Sequence, residues 1–173
     1  MRFSTVCARR LMPECKPSDS EMSHIEFIKN APALFSTLPS NQLPSWGKMN
    51  AQQVVEHLSE FIMLSIGEIV FPLSVPEDQL PKYQAFLFSD KMFRENTKAP
   101  ENVMPEEPKA IKHIDIYIAI EELRNTISKF EAYYEAHPSK TNLHPVFGHL
   151  DKSGWTMLNY KHIHHHLKQF ELI

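Results

Sequence analysis

The chain has 173 residues, and its fractions of 42% hydrophobic, 10% aromatic and 23% charged residues exclude the disordered and collagen-like classes. Its formal charge of −3 argues against the basic face that nucleic-acid binding needs, so we expect no nucleic-acid partner. Four glycines and thirteen prolines, most of which fall between the periodic segments, favour helices over an all-β fold.

Residues 1–21 are polar and come before the first amphipathic pattern. We expect them to be a disordered N-terminal extension, or extra residues from a start codon assigned too early. They lack the apolar segment of roughly 7–15 residues in a secretory signal, and their acidic residues argue against an organellar presequence. No part of the chain approaches the roughly 20 apolar residues of a membrane span. We therefore expect a cytoplasmic protein without a membrane partner, whose single domain covers residues 22–173.

Two helices are predicted in the first part of this domain. Apolar residues at a three-four spacing predict a helix over His24–Leu38, with a kink or restart at Pro32. The second helix is predicted over residues 51–70, because Asn50 is a suitable N-cap and Gln53 stands at the third helical position of a capping box.

A long proline-rich connection follows, and two more helices complete the chain. Six prolines interrupt residues 70–108, where we expect one short helix near residues 79–88. Apolar residues at spacings of four and three from Ile116 to Tyr134 predict the third long helix. The fourth should begin after Asp151 as its N-cap. These elements predict an all-α four-helix bundle with a long irregular crossover between the second and third long helices.

The last helix carries four histidines in the stretch YKHIHHHLKQF, residues 160–170. His162 and His166 are four residues apart, so they share a helix face and can bind one ion at about 2.0–2.1 Å if a third ligand faces them. His57, which borders the apolar stripe of the second helix, is the candidate third ligand. The alternative is an ordinary bundle whose histidines are satisfied by hydrogen bonds, since the chain contains ten histidines in all.

Four further residues are candidates for supporting roles. His165 and Gln169 lie beside the histidine pair and could hydrogen-bond a ligating imidazole or a substrate, with packing against a neighbouring helix as the alternative. For His144, a structural cap in its turn is a better interpretation than a substrate contact. Trp46 should pack in the core or close the mouth of the pocket.

Two polar residues near the candidate ligands are expected to face solvent. At about 100° per residue, His164 points roughly 200° away from His162, and Glu56 points about 100° away from His57. We therefore expect both side chains to face water.

Several motifs occur together in an order that resembles a known family. They are WGKM at Trp46–Met49 ahead of the helix with His57, HPVFG at His144–Gly148, and the pattern HxxHHxxQF from His162 to Phe170. Together they are similar to the DinB/YfiT-like superfamily of metalloenzymes, in a branch described only as a domain of unknown function. The stretch Asn96–Pro108 also resembles the linker of that branch.

The resemblance implies an up-down-down-up order of the helices and one divalent metal held by three histidines. Carried over by position, these ligands are His57, His162 and His166, the trio that helix geometry also favours. The metal implied is nickel, zinc or iron, and the better understood branches imply a low-molecular-weight thiol as a further cofactor. Relatives of this shape often pair, so a homodimer is expected as well.

Two classes of function follow for this sequence. The first is a metal-dependent enzyme, either a hydrolase or a thiol-dependent transferase, that acts on a small electrophilic substrate. The second is a non-catalytic bundle that binds a metal or ligand, for instance in a stress response. No P-loop, dinucleotide fingerprint or Ser-His-Asp order occurs in the sequence to suggest another chemistry.

Overall fold

The computed structural model describes residues 19–97 and 107–173. This part of the chain forms five helices and one short hairpin. The helices are α1 (Asp19–Phe35), α2 (Ala51–Ser65), α3 (Leu80–Leu87), α4 (Ile116–Ala136) and α5 (Lys152–Gln169), and the strands are β1 (Asn142–His144) and β2 (Gly148–Leu150). A 3-10 turn, Glu77–Gln79, precedes α3. The four long helices were predicted from the sequence, and α3 is the short helix expected in the crossover.

Side-chain caps fix the start of α2 where the sequence predicted it. The Asn50 side chain accepts a hydrogen bond from the Gln53 backbone nitrogen, and the Gln53 side chain accepts one from the Asn50 backbone nitrogen, each at 3.0 Å. The helix ends at Ser65, well before the predicted end at residue 70, because Gly67 takes a φ of 78°. A glycine in this left-handed conformation is a common helix stop.

The α1 helix begins and ends earlier than the sequence predicted. It runs from Asp19 to Phe35 and includes Pro32 without a break. Residues 19–21, which we expected to belong to a disordered extension, are therefore part of α1. Residues 1–18 lie outside the described residues, as does most of the predicted linker between residues 96 and 108.

The first and last helices run in the same direction. Phe27 of α1 contacts Tyr160 of α5, and Phe35 contacts Phe170 further along, with ring centroids 5.0 Å and 6.3 Å apart. Aromatic pairs at such distances add roughly 0.5–1.5 kcal/mol to the free energy gained from burial alone.

Helices α2 and α4 form another parallel pair. Glu56 of α2 accepts a hydrogen bond from the backbone of His113, just ahead of α4, at 3.0 Å. At the opposite end, the Tyr134 hydroxyl of α4 donates to the Ser65 carbonyl of α2 at 2.9 Å. Parallel neighbours require a connection as long as the bundle, which explains the crossover. The helix order is therefore up-down-down-up, as predicted.

Apolar side chains from all four long helices form one core. The largest of those that are at most 1% exposed include Phe35, Leu58, Leu123, Phe130, Trp155 and Leu158. Burying an apolar side chain of this size stabilises the fold by roughly 1.5–3 kcal/mol. No helix in the described part of the chain is both long and apolar enough to cross a membrane.

The HPVFG motif joins the two strands of a hairpin that the sequence did not predict. Strands β1 and β2 pair antiparallel, with His144 opposite Gly148. The His144 Nδ1 atom accepts hydrogen bonds from the backbone nitrogens of Val146 at 3.0 Å and Phe147 at 3.2 Å. This is the structural cap that we expected for His144, and it fixes the turn ahead of α5.

A buried lysine attaches the crossover to α5. Lys161 is 1% exposed, and its ammonium group donates to the carbonyl oxygens of Ser89 and Lys91, each at 2.6 Å, and more weakly to that of Phe86. It also lies 5.0 Å from the centre of the Phe86 ring. These carbonyls replace the water that a lysine loses on burial, so the loop after α3 is held beside the histidines of α5.

Candidate metal centre

Helices α2 and α5 bring the three predicted ligands together. The Nε2 atom of His162 lies 3.1 Å from that of His57 and 2.9 Å from that of His166. One ring nitrogen from each of the three residues lies within 4.8 Å of the other two. The trio therefore has the arrangement expected from the four-residue spacing on α5 and the single histidine on α2.

The hydrogen bonds around His166 define its tautomer. The Gln169 side-chain amide donates through Nε2 to the Trp46 carbonyl at 3.1 Å, which orients its Oε1 toward His166. His166 Nδ1 lies 2.6 Å from that Oε1, and because a carbonyl oxygen only accepts, Nδ1 carries the proton. His166 Nε2 therefore presents a lone pair to His57 and His162.

Protein hydrogen bonds alone do not satisfy the trio. His162 Nε2 lies beside the Nε2 atoms of both His57 and His166. A proton on His162 Nε2 can point at only one of these two atoms, so the contact with the other has no hydrogen bond from His162. If the proton lies on His162 Nδ1 instead, it is buried and has no hydrogen-bond partner among the described residues. A buried group without a partner costs roughly 1–3 kcal/mol.

The surroundings of the trio also keep its imidazoles neutral. Burial lowers the pKa of His57 to about 4, although the nearby Glu60 carboxylate acts in the opposite direction. Burial holds the pKa values of His162 and His166 well below the ordinary value, and the neighbouring histidines lower them further. Neutral imidazoles are the form that binds metal ions.

The geometry of the trio fits a divalent transition-metal ion. Three nitrogen ligands of a tetrahedral ion, each about 2.0–2.1 Å from it, lie about 3.3 Å apart. The observed separations of 2.9 Å and 3.1 Å are only slightly shorter. Because imidazole suits zinc, nickel, copper and iron, the ligand set does not select among them.

A glycine ahead of α2 makes room for the Gln169 side chain. Gly47 has a φ of 92°, and a Cβ atom there would lie 2.8 Å from Gln169 Nε2. The WGKM motif therefore has a structural role at this site: Trp46 supplies the carbonyl that orients Gln169, and Gly47 lets the two approach. The Trp46 ring is half-buried and contacts the His165 ring, with centroids 6.2 Å apart.

A cavity of about 450 Å³ lies against His57 and His162. His166 does not line it and is only 4% exposed. An ion on the three nitrogens would therefore have its remaining coordination positions on the cavity side. The walls come from α2, from the start of the crossover and from residues 107–112 near its end.

Residues 107–113, which we call the strap, are bound to α2 by a buried carboxylate. Glu56 is 9% exposed and accepts hydrogen bonds from the backbone nitrogens of Lys112 at 2.9 Å and His113 at 3.0 Å. Gln52 donates to Glu56 and to the His113 carbonyl. The prediction that Glu56 faces solvent was wrong, because the helix period alone does not show that the strap covers this side of α2.

Two ion pairs also connect the strap to the helices. Lys109 lies 2.6 Å from Glu60 of α2, and Lys112 lies 2.7 Å from Glu122 of α4. All four residues line the cavity. None of the four was predicted as a site residue, since each pair joins a helix to a segment that is distant in sequence.

The remaining candidates lie around the trio without joining it. The His165 ring packs against Trp46 and Phe93, the packing alternative for this residue. His164 is half-buried and its ring is 6.0 Å from that of Phe27, so the prediction that it faces water was wrong. Helix α1 covers this part of α5, because Phe27 lies against the His164 ring. His144 is buried, and burial lowers its pKa to about 3.

Comparison with known families gives a match over nearly the whole chain. Residues 19–172 match the model of DUF1569, which is described as a protein of unknown function. The chain belongs to the DUF1569 family. This agrees with the resemblance seen in the motifs around His57 and His162. A comparison with curated protein sequences finds no significant match for this DUF1569 protein.

A solved structure with a similar fold comes from Bacillus subtilis. It is YfiT, described as "a probable metal-dependent hydrolase with an unusual four-helix bundle topology". The two proteins share 16% sequence identity and a TM-score of 0.54, over 94% of the DUF1569 chain and 91% of YfiT. At this identity the similarity establishes the four-helix fold.

Proposed function

We propose that this protein is a metal-dependent hydrolase whose divalent ion is bound by His57, His162 and His166. The observation that carries the proposal is the convergence of three neutral imidazole nitrogens at one edge of a cavity. Three protein ligands leave a coordination position for water or substrate, which is typical of catalytic rather than structural ions. The description of YfiT as a probable metal-dependent hydrolase supports the same class of activity.

Each residue of the site has a defined part in this proposal. A divalent ion supplies a Lewis acid and lowers the pKa of water that binds to it. Gln169 holds the Nδ1 proton of His166 and so keeps its Nε2 lone pair directed at the ion. Phe61, whose ring centroid is 4.1 Å from that of His162, shields one side of the trio from solvent. The cavity admits a small substrate.

Hydrolysis is favoured over thiol transfer because water needs no binding site of its own. The described residues that line the cavity include no feature that would select a particular thiol. The thiol cofactor, the homodimer and the cytoplasmic location stay predictions from the sequence, as do nickel, zinc and iron as the candidate metals.

The first test is the metal content of untagged protein purified without chelators or a nickel column. We expect about one equivalent of divalent metal in the parent and almost none in His57→Ala or His166→Ala. His164→Ala is the matched control, because this half-buried histidine of α5 lies outside the trio. The variants should keep their helical circular dichroism.

Hydrolysis should depend on the same residues. We expect the zinc-loaded parent to hydrolyse nitrophenyl esters, with activity lost in His57→Ala and after chelation, and restored by zinc. A parent that binds no zinc, nickel or iron would overturn the metal site. A metal-loaded parent that hydrolyses no ester, amide or phosphate substrate would favour the binding function instead.

A further inference from the structure

The cavity beside the trio is apolar at one end. Its lining residues recur on one face of α2 from Gln53 to Leu64, a rise of about 16 Å along the helix. Beyond the histidines, the wall includes the apolar residues Phe61, Leu64, Ile69 and Phe71, with Glu68 as the charged residue of this stretch. Leu64 is 3% exposed, and the other three apolar residues are partly buried against the core. This end of the cavity can therefore bury the apolar part of a small molecule.

The charges around the cavity are predominantly negative. Its described lining contains two lysines, Lys109 and Lys112, and five carboxylates: Glu56, Glu60, Glu68, Glu107 and Glu122. Both lysines already pair with carboxylates of the lining, at 2.6 Å and 2.7 Å. Glu107 in turn pairs with Lys48, so five carboxylates face three lysines among these described residues. Away from an ion on the trio, a negatively charged ligand group would therefore meet carboxylates in excess, whereas a positively charged group would be attracted.

The ion pairs also place charge close to the trio. Glu60 follows His57 by three residues and lies on the same side of α2. Both residues line the cavity. A charged group of a ligand bound near His57 would therefore lie close to the Glu60 carboxylate.

We propose that the substrate has an apolar body and a neutral or positively charged end, an inference that rests on the proposed hydrolase function. The apolar body lies against Leu64, Ile69 and Phe71, and the bond to be cleaved lies at His57 and His162. The neutral or positively charged end lies beside the strap, where Glu60 of α2 and Glu122 of α4 line the cavity. Molecules with a carboxylate or phosphate at that end bind weakly.

Three hydroxamic acids test this substrate class on the zinc-loaded, full-length protein. All three are hexanoyl hydroxamates with the same apolar chain on the carbonyl side of the metal-binding group. They differ only in a short arm on the hydroxamate nitrogen, which ends in a methyl, an ammonium or a carboxylate group. Binding is measured by calorimetry at low and high salt. We expect the carboxylate probe to bind at least about tenfold more weakly than the other two at low salt, and the difference to shrink at high salt.

Glu60→Gln tests whether the cavity charge causes the preference. The substitution removes one carboxylate and leaves Lys109 unpaired, so the disadvantage of the carboxylate probe should fall several-fold. Glu121→Gln is the matched control, because Glu121 also pairs with a cation, Arg124, but does not line the cavity. It changes the charge of the molecule equally and should leave the preference unchanged.

The outcomes separate this inference from the proposed function. Zinc binding together with equal or tighter binding of the carboxylate probe would overturn the substrate class and leave the hydrolase proposal intact. Equal effects of Glu60→Gln and Glu121→Gln would also overturn it, since the preference would then come from overall charge. A protein that binds zinc but none of the probes would overturn the substrate class alone, whereas a protein that binds none of zinc, nickel and iron would overturn both proposals.

Discussion

Gln169 connects the histidine trio to the loop ahead of α2. Its Oε1 accepts from His166 at 2.6 Å while its Nε2 donates to the Trp46 carbonyl at 3.1 Å. Groups that orient a ligating histidine typically contribute 10–100-fold to metal affinity. We therefore expect Gln169→Ala to weaken zinc binding by about 10–100-fold in a competition titration with a chromogenic chelator.

Two further variants make this expectation specific. Gln169→Glu keeps an oxygen acceptor for His166 Nδ1 but loses the donor to the Trp46 carbonyl, so it should bind zinc more tightly than Gln169→Ala. Lys168→Ala changes an exposed neighbour and should have no effect. Zinc affinity that is equal in Gln169→Ala and the parent would show that Gln169 does not orient the ligand.

His144 should make the stability of the fold depend on pH. Burial lowers its pKa to about 3, whereas in the unfolded chain it has the ordinary value of 6.5. Above pH 6.5 the imidazole is neutral in both states, so its hydrogen bonds contribute fully. As the pH falls below 6.5, the unfolded chain binds a proton that the folded protein does not, and the folded state loses stability until about pH 3.

His144→Asn isolates this contribution, because the Asn oxygen can accept the same two backbone hydrogen bonds. We expect the difference in unfolding free energy between parent and variant to change by about 2 kcal/mol between pH 7 and pH 5, to the disadvantage of the parent. Urea denaturation of both proteins at several pH values measures it. Parallel stability curves would contradict the prediction.

At the scale of single residues, the sequence predicted the clustering of the three histidines better than the residues that surround them. His57, His162 and His166 could be selected because helix spacing decides which side chains share a face. The burial of Glu56 could not, since it depends on the strap, which is distant in sequence. The same holds for Lys161, whose carbonyl partners lie in the loop after α3.

At the scale of elements, the strap depends on Glu56 more than on its exposed ion pairs. Glu56→Ala would leave the backbone nitrogens of Lys112 and His113 without their acceptor. We expect a loss of about 1–3 kcal/mol in unfolding free energy, measured by urea denaturation. Glu60→Ala, which removes only a partly exposed ion pair with Lys109, should cost less than about 1 kcal/mol. A smaller effect of Glu56→Ala than of Glu60→Ala would contradict this role.

Elements that are determined by residues close together in sequence could be predicted, and the others could not. The capping box at Asn50 and the cap at Asp151 involve residues three apart, and the sequence shows them directly. The hairpin is different, because each strand has only three residues and is too short for an alternating pattern. Its turn depends on a buried histidine acceptor, which composition does not reveal.

At the scale of the molecule, the trio joins two halves of the bundle. Helix α5 packs beside α1, and α2 packs beside α4. The described ring contacts between α2 and α5 all involve His57 or Phe61, which contact His162, His166 and Trp155. An ion on the three histidines would therefore link the two parallel pairs directly.

Such a link predicts that metal stabilises the whole fold. Binding to the native state alone adds about 2.7 kcal/mol at a free metal concentration 100 times the Kd. For a domain of this size, we expect zinc to raise the Tm by roughly 5–10 °C in thermal unfolding followed by circular dichroism. The increase should be lost in His162→Ala and kept in His164→Ala. His162 contacts both other members of the trio through its Nε2 atom, so its removal should disrupt the site. An equal increase of the Tm in both variants would therefore mean that zinc binds elsewhere.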